Sequence, residues 1–219
     1  MGKIPPSQIQ EIVFASSNKA ESRKITALSK EKLIRKIAPR IYTSNLSDVP
    51  ASIIKRNWYR ILAHLYPNAL VSHRSALEFK PTASGHIFLT YSYTENVNLP
   101  GLTIHFLKGP EKVEGDSAFF DNLYVSQEAR AFLENLQETR SNATESKSLP
   151  IAEIEDRLEG IIRARGEKGL NELRDKAKQL AGQLSMQKEL KKLNDVNQRP
   201  PAYGTPRAGR FSSWQNTFR

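Results

Sequence analysis

The apolar periodicity of the chain changes at Pro150, and that change sets what it can fold into. Upstream, Ile, Val and aromatic residues gather in short runs separated by Pro, Gly, Asn and Ser, the pattern of strands and short helices. Downstream, Ile151, Ile154, Leu158, Ile161 and Ile162 recur at helical spacing up to Gly166, and Leu170, Leu173, Ala177, Leu180 and Leu184 repeat the stripe after it. The spacing predicts an α+β chain whose residues 150–197 form a helical hairpin of two antiparallel helices, with Leu190 and Leu193 available to extend it.

The upstream part divides in two. Ser7–Phe14 reads as a short helix with Ile9, Ile12 and Val13 on one side. Ser16-Ser17-Asn18 is an N-cap cluster for an amphipathic helix over Lys19–Lys30, with Ile25 and Leu28 inward and Lys19, Arg23, Lys24 and Lys30 outward. Leu33–Thr43 holds two β-prone runs around an Ala38-Pro39 turn, a hairpin studded with Arg35, Lys36 and Arg40. A basic helix followed at once by a basic hairpin is the order of a winged helix-turn-helix. Residues 1–48 are therefore expected to form a small winged-helix-like unit, abbreviated because one short helix precedes the candidate recognition helix where the motif has two.

Pro50 opens a helix over Ala51–Leu65 whose stripe is Ile54, Trp58, Ile61, Leu62 and Leu65, with Trp58 and Tyr59 read as core rather than base-stacking platforms. Leu70-Val71 is a short strand, and Ser72 is placed to cap a brief helix. His86–Tyr93 and Leu102–Phe106 are strands joined through Asn98–Gly101 that should pair in a sheet under the Trp58 helix, followed by a strand at Leu123–Val125 and a helix from a Ser126 cap to Leu136. Residues 50–137 thus make an α/β middle region, 138–149 a polar linker and 198–219 a flexible basic tail.

Charge follows this division. Residues 1–80 carry 14 Lys and Arg against 5 Asp and Glu, whereas residues 81–137 carry 3 against 7. Positive charge concentrated in one third of a chain suits a polyanion, because neutralised phosphates release counterions; a solubilising surface is the plainer alternative. There is no cysteine, which excludes disulfides and thiolate metal sites. With no signal-peptide pattern and no apolar run of bilayer length, a cytoplasmic chain with no membrane partner is expected.

Chemistry is sparse. His64, His73, His86 and His105 stand in no metal-ligand or triad spacing, Gly160, Gly166 and Gly169 lack the Lys-Ser/Thr ending of a phosphate loop, and Asp116 and Asp121 fall in a loop without further ligands. No catalytic residue, metal site or cofactor is expected, and the chain is not expected to be an enzyme. The functional candidates are Lys19, Arg23, Lys24, Lys30, Arg35, Lys36 and Arg40 for phosphates, with Ser22, Thr26 and the Arg23 guanidinium shaped to reach base edges.

Ser22-Arg23-Lys24-Ile25, the run Leu33–Leu46, Asp48-Val49-Pro50 and Ile54–Asn57 resemble the AbiEi-type antitoxin-like region at the front of long bacterial Fic (cell filamentation) proteins. Pro67–Glu78, Leu99–Leu102, Lys108-Gly109-Pro110, Leu123–Ser126 and Ile154–Leu158 continue the resemblance, which spans residues 10–195. It implies a winged-helix, repressor-like antitoxin module, a DNA partner such as the chain's own promoter, and a Fic-type toxin or Fic domain as a further partner. The AMP-transferring Fic signature, His-Pro-Phe with a following Gly-Asn-Gly-Arg, is absent: the four histidines precede Leu65, Arg74, Ile87 and Phe106. Either a truncated Fic protein or a freestanding regulatory half is expected, acting as a transcriptional regulator or as an interaction module that restrains a separate Fic-type enzyme.

Overall fold

The computed structural model describes residues 10–138 and 145–198. It is an α+β structure with two sheets and a helical C-terminal part. The smaller sheet is antiparallel, ordered β1-β3-β2, from β1 (Ile12–Phe14), β2 (Arg35–Ala38) and β3 (Ile41–Thr43), with helix α1 (Lys19–Lys30) between its first two strands. The hairpin expected around Pro39 is present, with Ala38 opposite Ile41. The expected Ser7–Phe14 helix is not: Ile12, Val13 and Phe14 pair with Thr43, Tyr42 and Ile41, and residues 7–9 lie outside the described part. Three consecutive β-branched and aromatic residues complete a sheet more readily than one helical turn, but their partner strand is distant in sequence.

The chain then runs through α2 (Pro50–Arg56) and α3 (Trp58–Leu65) rather than one continuous helix. The break is at Asn57, whose buried side-chain amide donates to the Ile53 carbonyl at 2.9 Å and to Glu11 Oε2 at 2.8 Å, competing with the helix ladder. The larger, mixed sheet has the order β6-β7-β5-β4-β9-β8, from β4 (Leu70–Val71), β5 (His86–Tyr91), β6 (Glu95–Leu99), β7 (Leu102–Lys108), β8 (Ser117–Phe120) and β9 (Leu123–Val125). The two clearest strands of the sequence, β5 and β7, do pair, yet in parallel, because β6 intervenes and folds back on β7 through the Pro100-Gly101 turn.

That turn is fixed by space. A Cβ on Gly101 (φ +72°) would sit 2.7 Å from Ala51 Cβ, and one on Gly85 (φ +86°) 2.3 Å from the Gly101 carbonyl oxygen. Two side-chain-free residues let the β6–β7 hairpin lie against the start of α2.

One apolar cluster joins both sheets: Ile12, Ile37, Ala38 and Ile41 from the small sheet pack with Ile53, Ile54, Trp58, Ile61 and Leu62 of α2 and α3 and with Ile87, Leu89, Leu102, Ile104 and Phe106 of the large one. The boundary expected near residue 49 is a change of sheet, not of core. Trp58, 5% exposed, stacks on Phe119 with ring centroids 5.4 Å apart, as its assignment to the core anticipated.

A second cluster forms where α5 (Glu128–Asn135) meets α6 (Ile151–Leu184) and α7 (Gln187–Gln198). Ile154, Leu158, Ile161, Leu170, Leu173, Ala177 and Leu180 are buried there, so most of each stripe faces this core, but Ile151 and Ile162 are exposed and Leu184 is only partly buried, so the expected stripes are wider than the faces that pack. α6 is interrupted at Gly166 (φ 68°, ψ −174°), and α7, containing Leu193, is a third helical segment beyond the expected pair. Residues 145–149, expected within a linker, are docked: the Arg74 amide donates to the Lys147 carbonyl at 3.0 Å and the Leu149 amide to Asn135 Oδ1 at 2.9 Å.

α4 (His73–Glu78) and α5 are not capped by the serines before them. Ser72 Oγ accepts from Thr90 at 2.9 Å and lies 3.0 Å from His73 Nδ1, while Ser126 Oγ donates to Glu134 at 3.0 Å. Both hydroxyls belong to a buried polar network centred on Arg130. Its guanidinium reaches Glu134 at 2.8 Å, Asp116 at 2.6 Å and the carbonyls of Glu111 and Pro110. Asp116, a loop carboxylate in the sequence, is a buried counter-ion.

Candidate nucleic-acid interface

α1 is started by the predicted cap: Asn18 Oδ1 accepts from the amides of Ala20 (2.8 Å) and Glu21 (3.4 Å), and Ser16 Oγ accepts from the Asn18 amide at 3.0 Å. Leu28 is buried and Ile25 half-buried; every other residue of the helix is exposed. No other described element packs extensively against it. At 100° per residue, Lys19, Arg23, Thr26 and Lys30 fall on the side opposite Leu28, with Ser22 beside them. Lys24 lies on the flank, next to Leu28 in projection yet exposed. The Thr26 hydroxyl donates to the Ser22 carbonyl at 2.9 Å, so its methyl and remaining lone pair are what it offers outward.

The β2–β3 hairpin contributes Lys36 and Arg40, both exposed. Arg40 occupies the left-handed region (φ 63°) after Pro39, a tight two-residue turn held by the Ala15 amide, which donates to the Arg40 carbonyl at 2.8 Å. Lys19, Arg23, Lys24, Lys30, Lys36 and Arg40 make no ion pair with any described residue. Arg35 is different. Its Nε donates to the Asn45 carbonyl at 3.2 Å and its Nη2 to the Asp48 carbonyl, which turns it inward as a brace for the Ser44–Val49 loop.

The platform under these residues is clamped by a network that no sequence pattern announces. Arg56 on α2 pairs with Glu11, just before β1, and with Asp48 at 2.8 Å; Asn57 and Asn45 also bond Glu11. The Arg56 guanidinium, ahead of the smaller opposing effect of burial, holds the Glu11 carboxyl down to about 2. The partners are separated by as many as 46 positions, so only the fold reveals them. His64 on α3 stacks on Phe14 of β1, centroids 3.8 Å apart and planes 9° apart; burial first, and then the charge of Arg40, lower its pKa.

The other histidines are held in ordinary ways. His86 and His105 lie on β5 and β7 with Nδ1 of the first 2.7 Å from Nε2 of the second, and His105 is lowered by burial and then by His86. His73 is buried and held down to about 4 by desolvation. Ser72 already accepts from Thr90, so its own proton goes to His73 Nδ1, and His73 Nε2–H donates to Gln137 Oε1, which can only accept. Among the described residues no group of three or more His, Asp or Glu side chains is arranged to hold a metal ion, and no helix is long and apolar enough to cross a membrane.

No protein-family model matches the chain, and no curated protein matches it.

Proposed function

We propose that the chain is a non-catalytic, DNA-binding, antitoxin-like transcriptional regulator that grips its own promoter through α1 and the β2–β3 hairpin. The observation that carries this reading is the state of α1. A helix that gives two apolar residues to the body and presents Lys19, Arg23 and Lys30 in one row, unpaired with any described residue, has the form of a side-chain rack for a groove. The neighbouring hairpin, with Lys36 and Arg40 at and near its turn, is suited to the flanking backbone as a wing. Within this winged-helix-like reading, Ser22 and Thr26 lie between the cations on the outward side and meet base edges, and Arg35 supports the loop instead of contacting phosphate.

The test is binding of the full chain to its upstream DNA over a salt series, against Lys19→Ala/Arg23→Ala/Lys30→Ala. Three lost phosphate contacts lower the slope of log K on log salt by about 2.7, at about 0.9 per contact. Ser22→Ala should leave that slope alone and change the preference among base sequences. A triple variant that retains wild-type affinity and slope removes α1 from the interface.

A further inference from the structure

β6 stands at one end of the six-stranded sheet and pairs with β7 alone. The two-residue Pro100-Gly101 loop makes Leu99 and Leu102 the hydrogen-bonded pair beside the turn, and the antiparallel ladder alternates from there. The main-chain groups of Leu99, Val97 and Glu95 therefore face β7, while the N–H and C=O groups of Asn96 and Asn98 face outward. No described residue takes up those four groups.

An open edge of this kind templates another strand unless cations, proline or a bulge block it. β8, at the opposite end of the sheet, is bulged between Ala118 and Phe120. β6 is regular over its whole length and contains no Lys, Arg or Pro.

We propose that β6 is a self-association edge through which two copies of the chain join, antiparallel, about a two-fold axis at Val97. In that register Asn96 of each copy lies opposite Asn98 of the other, and all outward groups are used in four main-chain hydrogen bonds. Shifting the centre by one residue, onto Asn96 or Asn98, leaves half of them unused. The single charge, Glu95, falls opposite Leu99, so like charges do not meet, and Val97 meets its own copy. Asn96 and Asn98 are held ready by β7: Asn96 Oδ1 lies 2.9 Å from His105 Nδ1, and Asn98 Oδ1 accepts from Thr103 Oγ1 at 3.0 Å. Their side-chain NH2 groups have no described partner and lie next to the incoming strand.

A contact of one strand per copy is smaller than a standard interface, so the dimer is of micromolar affinity or weaker. Sedimentation equilibrium of the full chain from micromolar to millimolar concentration should show a monomer–dimer equilibrium. Asn96→Lys/Asn98→Lys places lysine opposite lysine twice and should sediment as a monomer, as should Asn96→Glu/Asn98→Glu. An equimolar mixture of the two should recover the dimer. A wild-type chain that is monomeric throughout overturns the proposal and leaves the edge to another segment or protein. So does a Lys variant that dimerises as well as wild type, or a mixture of folded variants that stays monomeric.

Discussion

Replacing Arg130 by methionine removes the cation from between two buried carboxylates while keeping the length of the stem. The Arg130 side chain is 1% exposed, and those of Asp116 and Glu134 are 0% and 5%. The substitution deletes the 2.6 and 2.8 Å ion pairs and leaves the Pro110 and Glu111 carbonyls without their donor. Each carboxylate keeps other donors: the Val113 and Gln127 amides bond Asp116, and the His73 amide and Ser126 hydroxyl bond Glu134. Deleting one partner of a buried ion pair costs about 3–5 kcal/mol, and the retained donors place this case toward the lower figure. With a urea m value of about 2 kcal/mol/M, the unfolding midpoint should fall by roughly 1.5–2 M. Adding Asp116→Asn and Glu134→Gln to Arg130→Met removes the uncompensated charge and should recover most of the loss. The reasoning is refuted if Arg130→Met unfolds within about 0.5 kcal/mol of wild type, or if the triple variant is no more stable than the single one.

Acid should weaken the fold in two stages. His73, held to about 4 against an ordinary 6.5, binds its proton more readily in the unfolded chain, so stability declines as pH falls below 6.5, with His64 and His105 shifted in the same direction. Glu11, lowered from 4.5 to about 2, contributes fully above 4.5 and loses that contribution as pH falls from there toward 2; melting curves of Glu11→Gln should lack the second stage only. Gly101→Ala combines a positive φ with a 2.7 Å approach to Ala51 and should cost about 1–3 kcal/mol by urea unfolding, whereas a midpoint equal to wild type would mean that the turn does not press on α2.

Segments that satisfy their own chemistry locally were legible in the sequence. Asn18 caps α1 through its neighbours, Pro39 makes the hairpin turn, and most of the Ile and Leu stripes after Pro150 bury as their spacing demands, with Ile151 and Ile162 left exposed. β6 and β8 were not legible. Glu95, Asn96 and Asn98 bury little and give no apolar alternation, and Ser117 and Ala118 are exposed, so each strand exists because β7 or β9 is beside it. For the same reason Ile12–Phe14 imitated a helical face. At the candidate interface, the common side of Lys19, Arg23, Thr26 and Lys30 follows from helical geometry alone. The inward turn of Arg35 and the Glu11–Arg56–Asp48 clamp depend on where the Ser44–Val49 loop and α2 meet β1, which no local pattern encodes.

A helix anchored by Leu28 and Ile25 alone is almost decoupled from the stability of the protein that carries it. Its outward positions can exchange side chains without opening a cavity or stranding a buried polar atom, since none of them is committed to the core. On the proposed DNA-binding reading, selection can therefore alter what Ser22, Arg23 and Thr26 would recognise by single steps, each folding as well as its predecessor, and such lineages could drift apart in target while the clamp and the two cores stay as they are.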